Sequence, residues 1–267
     1  MRYLLKVQYL GKNYCGSQKQ LRQNTIQNEI EKALRTLTGQ KISAIFSGRT
    51  DSGVNALGQT FHIDLEKEDG TEKFAEKFIH GLNHLLPDDI VILSMEEKNG
   101  TFHAQKSAKY RHYRYLIRSA QARCVFDTNI FFTRQLLDEK RMNESLRHIL
   151  GEHDFSAFKS SSDNPQKICN IYFAEAVREG DYIKIDIIGN RFLYNMVRTI
   201  VGTVLLIEKN DLSSLRMAEI LKSKDRTKAG ATAEAVGLTL IEVGYTDKYT
   251  DKYAKLSKTE RQINENI

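Results

Sequence analysis

The order in which apolar spacing changes along the chain constrains the fold more than any single residue does. Tyr3, Leu5, Val7 and Tyr9 alternate with Leu4, Lys6 and Gln8, the period of a half-buried strand. A polar loop with Gly11 and Gly16 follows. Thr25 suits an N-cap, Glu29 suits the first turn, and Ile26, Ile30, Leu34 and Leu37 recur at helical spacing until Gly39, where a helix can close. Ile42 to Phe46 and Gln59 to Leu65 read as strands. Thr71 to Leu85 reads as a helix with Phe74, Phe78, Leu82 and Leu85 on one face, ended by Pro87, and Ile90 to Met95 as another strand. The order β-α-β-β-α-β is the ferredoxin-like one, an antiparallel sheet with both helices on one face.

Near residue 105 the order begins again. Tyr110 to Ile117 reads as a strand, Asp138 to Leu150 as a helix, and Lys167 to Val177 and Tyr182 to Ile188 as strands. A strongly apolar helix from Phe192 to about Glu208, a shorter one near Leu215 to Leu221 and a strand from Leu238 to Val243 complete the second round. What repeats is the order of elements, not the residues. The expectation is an α+β chain of two ferredoxin-like halves, 1–105 and 106–247. A polar, lysine-rich tail follows from Lys248, read as a frayed helix or a disordered segment.

A net charge of +6 favours a polyanionic partner. Cys15, Cys124 and Cys169 are odd in number, far apart and without a C-x-x-C, which argues against a disulfide framework and a zinc site. The seven histidines show no H-E-x-x-H spacing. No N-terminal run resembles a signal peptide, and the densest apolar run, Ile200 to Ile207, is too short for a bilayer. The chain therefore reads as cytoplasmic, free of a membrane span and independent of metal.

Three stretches could carry chemistry. Phe46 to Gln59 holds three glycines, with Arg49 and Asp51 between two apolar segments. Glycines admit positive φ and close approach, and a cation nearby favours an ionised aspartate. A surface ion pair on a polar loop fits the same residues. In Lys109 to Tyr115, a strand would set Tyr110, His112, Arg114 and Leu116 on one face and Arg111, Tyr113, Tyr115 and Ile117 on the other. Tyrosine beside arginine suits RNA, where rings stack on bases and guanidinium meets phosphate. Ordinary cross-strand aromatic packing would look alike. In Gly189 to Gly202, a helical wheel places Arg191, Asn195, Arg198 and Gly202 on one stripe opposite Leu193, Met196, Val197, Ile200 and Val204. An arginine on a largely buried helix needs an anionic partner. Asp51 is a candidate; a structural salt bridge or a solvated face is the alternative.

Together these stretches resemble the tRNA pseudouridine synthases of the A type. Gly48 to Ala56 reads G-R-T-D-S-G-V-N-A against the family's G-R-T-D-x-G-V-H-A. Gly16, Gln18, Gln20, Thr25, Ile26 and Gln27 match G-x-Q-x-Q followed by T-(V/I)-Q. Asn83, Leu85, Leu86, Pro87, Asp89 and Ile90 match N-x-L-P-x-D-I loosely, and Phe102-His103-Ala104 matches F-H-A. The Y-x-Y-x-I strand, G-x-H-D-F-(S)-x-F and F-L-x-x-M-V-R-x-I-V-G also have counterparts, so the resemblance runs from Tyr3 to about Tyr245. The chain departs from it at Asn55 (usually His), Ser17 (usually Trp), Gln105 (usually Arg) and Glu234 (usually Pro).

The resemblance implies two ferredoxin-like halves whose sheets join, helices on one face and the active cleft between them. It implies isomerisation of a flipped-out uridine to pseudouridine in the anticodon stem-loop, at tRNA positions 38 to 40, with no metal and no small-molecule cofactor. Asp51 would be the essential carboxylate, adding to the base, attacking the sugar or removing a sugar proton. Arg198 would keep it ionised, Tyr110 would stack on the uracil, and Arg49 would contact the RNA backbone or fill the place of the flipped base. Arg22, Lys109, Arg111 and Arg191 are candidates for phosphate contacts. The family's partner set would be tRNA and a second copy of the chain as a homodimer. Two other readings compete. One is a diverged paralogue that binds tRNA or other RNA at an altered target or without catalysis. The other is an aspartic peptidase built on Asp51-Ser52-Gly53, which would need a second carboxylate although no second D-(T/S)-G occurs.

Overall fold

The computed structural model describes residues 1–66, 72–160 and 165–249; all but the first two residues of the lysine-rich tail lie outside them. It is an α+β fold with one large, mixed, mostly antiparallel sheet and five α-helices among the described residues. The first half runs β1 (Arg2–Tyr9), α1 (Ile26–Thr38), β2 (Ile45–Phe46), β3 (Asn55–Asp64), α2 (Glu72–Leu85) and β4 (Ile90–Lys98). The second runs β5 (Tyr110–Ser119), β6 (Phe131–Thr133), α3 (Glu139–Arg147), β7 (Gly151–Asp154), β8 (Ile168–Glu179), β9 (Tyr182–Gly189), α4 (Met196–Lys209), α5 (Leu215–Ser223) and β10 (Leu238–Gly244).

The strands lie in the order β4-β1-β3-β10-β5-β9-β8-β7, with β2 on β3 and β6 on β5. The seam is the parallel pair of β10 and β3, where Thr239 faces Asn55 and Leu240 faces Ala56. Apolar alternation sets the inner face of each half. Leu5, Val7, Tyr9, Phe61 and Ile63 pack with Ile26, Ile30 and Leu34 of α1 and Leu82 of α2. Tyr115, Ile117, Ile183, Ile185 and Ile187 pack with Met142 and Leu146 of α3, Ile200 and Val204 of α4 and Ile220 of α5. The two cores interlock at the seam: Val54 belongs to the second core, and Leu240 and Val243 to the first.

Local signals set the helix ends. Thr25 accepts from the Asn28 N–H at 3.3 Å and Gly39 closes α1 at φ 71°, the N-cap and left-handed C-cap that the sequence suggests. Asn83 grips β4 from α2, donating to Ile92 O at 2.9 Å and accepting from Ile92 N at 2.8 Å. The helix expected from Phe192 begins instead at Met196, because Asn195 sits in the left-handed region at φ 60° and cannot continue a right-handed helix. The expected stripe therefore breaks, with Arg191 off the helix. Gly202 faces protein: a Cβ there would lie 1.7 Å from Ala231 O, so glycine is what allows α4 to lie against residues 231–233. The strand expected from Ile42 shrinks to Ile45–Phe46, and β3 starts four residues early, at Asn55. The short strands β6 and β7 carry too few alternating residues to be seen in the sequence.

Candidate active site

Asp51 lies on the loop between β2 and β3, and almost every group around it is fixed by a hydrogen bond. Thr50 N donates to Ser17 Oγ at 2.9 Å, and Ser17 N donates back to Thr50 O at 3.1 Å. Thr50 Oγ1 pairs with the Tyr9 hydroxyl at 2.7 Å. Val54 N donates to Asp51 O at 3.1 Å, closing the turn. Ser47 donates to Gln59 Oε1 at 2.6 Å, while Gln59 Nε2 donates to Gly48 O at 3.1 Å. Gly16 has φ +93°, and a Cβ there would sit 2.8 Å from Thr50 O. That residue has to be glycine for the neighbouring loop to lie so close. The aspartate is thus presented by a rigid support, which a site of defined geometry requires.

Across an open cleft of about 1440 Å³, α4 supplies Arg198. Its Nη1 donates to Asp51 Oδ2 at 3.4 Å and to Asn195 Oδ1 at 3.0 Å, and its Nε donates to Ala233 O at 2.7 Å. Asn195 in turn donates to Ser160 Oγ at 2.8 Å. Burial pushes the Asp51 carboxyl above its ordinary range, and Arg198 opposes this without cancelling it. The sequence suggests an aspartate held low by arginine. The structure corrects that: desolvation outweighs a long, shared ion pair.

The structure brings Asp51, Arg49 and Arg198 to this cleft. Arg49 stands exposed at the rim, with its Nε donating to Gln18. Tyr110 is not brought there. Its side chain takes the other face of β5, buried against Tyr172 and Ile188 and edge-on to Tyr249 at 4.6 Å, and burial and Glu242 push its phenol up. The tyrosine of β5 that lines the cleft is Tyr113, which packs against both cores and meets Phe192 edge-on at 5.2 Å. Burial, with Asp51 among the nearby charges, pushes the Tyr113 phenol up, so it keeps its proton at neutral pH. Both tyrosines carry the same signal in sequence, and only the register of β5 separates them.

Arg111 also faces the cleft but is not free to meet a phosphate. Its terminal nitrogens donate to Asn190 O at 2.7 Å, Ser47 O and Gln105 O at 3.1 Å and Ala108 O at 3.3 Å. One guanidinium ties together the loop that carries Asp51, the segment before β5 and the β9–α4 turn. Lys106, Lys109 and Arg191 also line the cleft, with Lys109 3.5 Å from Asp247.

Residues 6–106 and 145–246 match the family model described as tRNA pseudouridine synthase. The chain belongs to that family. It is 36% identical over 251 residues to tRNA pseudouridine synthase A of Colwellia psychrerythraea, covering 93% of this chain and 95% of that one. It is 39% identical over 243 residues to the protein of the same name from Acetivibrio thermocellus, covering 90% and 98%. A solved Cbf5-Nop10-Gar1 complex aligns with a TM-score of 0.41 at 11% identity, over 90% of this chain and 49% of that one, a likeness too slight to bear on the fold. The chain is thus a tRNA pseudouridine synthase, an isomerase.

The departures from the family pattern have structural places. Ser17, wholly buried, is the clamp on Thr50. Asn55 accepts from Gly11 N at 2.9 Å, but its buried Nδ2 has no partner among the described residues. Gln105 and Glu234 contribute backbone carbonyls, to Arg111 and to the Tyr115 hydroxyl respectively. Among the described residues no helix is long and apolar enough to cross a membrane.

Proposed function

We propose that this isomerase acts on the anticodon stem-loop of tRNA, at one or more of positions 38 to 40, through Asp51 in the cleft between two ferredoxin-like halves. The observation that carries the reading is the Asp51–Arg198 contact: it joins the first half's catalytic loop to the second half's α4 across the cleft. The strand orders β4-β1-β3-β2 and β10-β5-β9-β8 support two such halves, divided near 105. Tyr113, packed against both cores, supports their helices lying on one face. The relatives' name, tRNA pseudouridine synthase A, supports tRNA as substrate.

The reaction breaks the bond from C1′ to N1 of uracil, joins C1′ to C5, releases the C5 proton and adds a proton at N1. Atoms and charge balance within one nucleotide, so no cofactor is required. The uridine leaves its helix to enter the cleft, as bases do when chemistry must reach them. Its ring lies on Tyr113 beside Asp51. The Asp51 carboxylate meets the base or sugar, and Arg198 steadies that charge as a permanent cation. Tyr113, still protonated, offers a stacking surface and a donor rather than a base. Arg49 at the rim contacts the RNA backbone or takes the place of the flipped base. Burial raises the Asp51 carboxyl, and the Arg198 guanidinium across the cleft favours its ionised form. The protein works in the cytoplasm, where tRNA is, and as a homodimer if one tRNA bridges two copies.

A peptidase dyad requires two carboxylates sharing a proton, whereas Asp51 faces a guanidinium. The experiment is nucleoside analysis of tRNA after incubation, with site mapping. Wild type is expected to form pseudouridine within the anticodon stem-loop and Asp51→Ala to form none. Pseudouridine at other positions would overturn the assignment of the target.

A further inference from the structure

Tyr194 is an aromatic side chain for which the catalytic account has no use. Among the described residues, four aromatic ones line the cleft: Tyr113, Tyr172, Phe192 and Tyr194. The first three are buried or half-buried, and Tyr113 and Phe192 contact each other. Tyr194 is 53% exposed, and among the described residues its ring has no aromatic partner and its hydroxyl no hydrogen bond. Its backbone, by contrast, is fixed. Tyr194 O accepts from Ser160 N at 3.0 Å, and the next residue is locked in the left-handed region with its amide bonded to Ser160 and Arg198. A half-exposed ring on a fixed backbone at the wall of a basic cleft is placed to stack, and tyrosine has few rotatable bonds to freeze on binding.

We infer that Tyr194 stacks on the nucleotide next to the target uridine, replacing the stacking partner which that neighbour loses when the uridine flips out. The inference rests on the proposed docking of tRNA in this cleft. Flipping one nucleotide leaves its neighbours with an exposed base face, and that loss is part of its cost. A ring offered to one neighbour recovers part of it whatever the neighbour's identity, because every base has a π-face. Tyr113, enclosed and beside Asp51, serves the target. Tyr194, on the cleft wall near Arg198 and open to solvent, serves the base that stays on the strand. Gln20 and Gln23 also line the cleft and carry amides able to bond base edges.

The test uses Asp51→Asn as a catalytically silent background and measures binding of a tRNA anticodon stem-loop. Adding Tyr194→Ala is expected to raise Kd on the order of tenfold, and adding Tyr194→Phe to change it less than about twofold, because the ring remains. The same RNA is then made abasic at the nucleotide 5′ or 3′ of the target. With one of these RNAs the Tyr194→Ala effect disappears, since the two losses remove one shared contact. The inference is overturned if the Tyr194→Ala effect persists undiminished with both abasic RNAs, or if Tyr194→Ala is silent while Arg49→Ala weakens binding. If Arg49→Ala and Tyr194→Ala are both silent, the docking of tRNA in this cleft fails first, and the inference with it. An unchanged melting temperature for Tyr194→Ala is expected of so exposed a side chain and keeps the binding readout clean.

Discussion

The two faces of β5 carry almost the same residue types and do opposite things. Toward the cleft point Arg111 and Tyr113; away from it point Tyr110, His112 and Arg114. On the far face, Asp186 of β9 accepts from His112 Nε2 at 2.6 Å and from Arg114 at 2.9 and 3.0 Å. Burial raises that carboxyl, but the His112 and Arg114 bonds outweigh it and hold it below the ordinary range. On the cleft side, Asp51 has one long contact with Arg198 and is held above that range. The charges on the far face are matched and closed, whereas Asp51 on the cleft side has one long, shared contact with a cation. An arginine or tyrosine on a strand therefore gains its meaning from what stands opposite it.

The strongest way to break this contrast is to exchange the roles of the two tyrosines. Tyr113→Ala is expected to lower kcat/KM by about a thousandfold, or ~4 kcal/mol of transition-state stabilisation, while Tyr110→Phe stays within about twofold of wild type. Steady-state kinetics on tRNA transcripts reads both, and a larger loss at Tyr110 would reverse the assignment.

The two arginines sharpen the contrast through stability. Arg111→Met removes the donor shared by four backbone carbonyls and is expected to cost ~3 kcal/mol, given the penalty for unsatisfied buried polar groups. Arg114→Met leaves Asp186 bonded to His112 and is expected to cost about 1 kcal/mol or less. Urea denaturation of the two variants ranks them, and equal losses would mean that Arg111 is not a strut.

The two carboxylates give the pH prediction. If the ionised Asp51 is the active form, the acid limb of kcat/KM lies above the ordinary aspartate range, because the carboxyl is raised in the folded enzyme. Arg198→Met removes the influence that lowers it, so the limb moves to higher pH. Asp186 titrates in the other direction. Its depressed folded pKa gives stability that is present above the unfolded aspartate value and lost as pH falls through the folded one. Asp186→Asn should therefore flatten the fall in melting temperature on acidification and leave the activity limb in place. A limb that moves with Asp186 would tie the far face to catalysis.

Much of this arrangement was legible in the chain. The strand and helix order follows from apolar periods, and Thr25 and Gly39 mark α1 as capping chemistry predicts. The signature from Gly48 to Ala56 singles out Asp51, and the buried helix singles out Arg198. What could not be read was orientation. Alternation divides β5 into two faces without saying which looks into the cleft, and both begin with a tyrosine and a basic residue. The start of α4 was hidden because a left-handed Asn195 looks like any helical residue in sequence. Arg111 reads as a phosphate ligand until the carbonyls of three separate segments, distant in sequence, are seen converging on it.

We propose that uridine is isomerised on the cleft face of β5, by Asp51 over Tyr113. Release of tritium from tRNA labelled at uridine C5, measured together with tRNA binding on the same preparations, tests it most directly. Release is expected from wild type and Tyr110→Phe, none from Asp51→Asn and very little from Tyr113→Ala, with tRNA still bound by all four. Undiminished release by Tyr113→Ala, or release by Asp51→Asn, would contradict it.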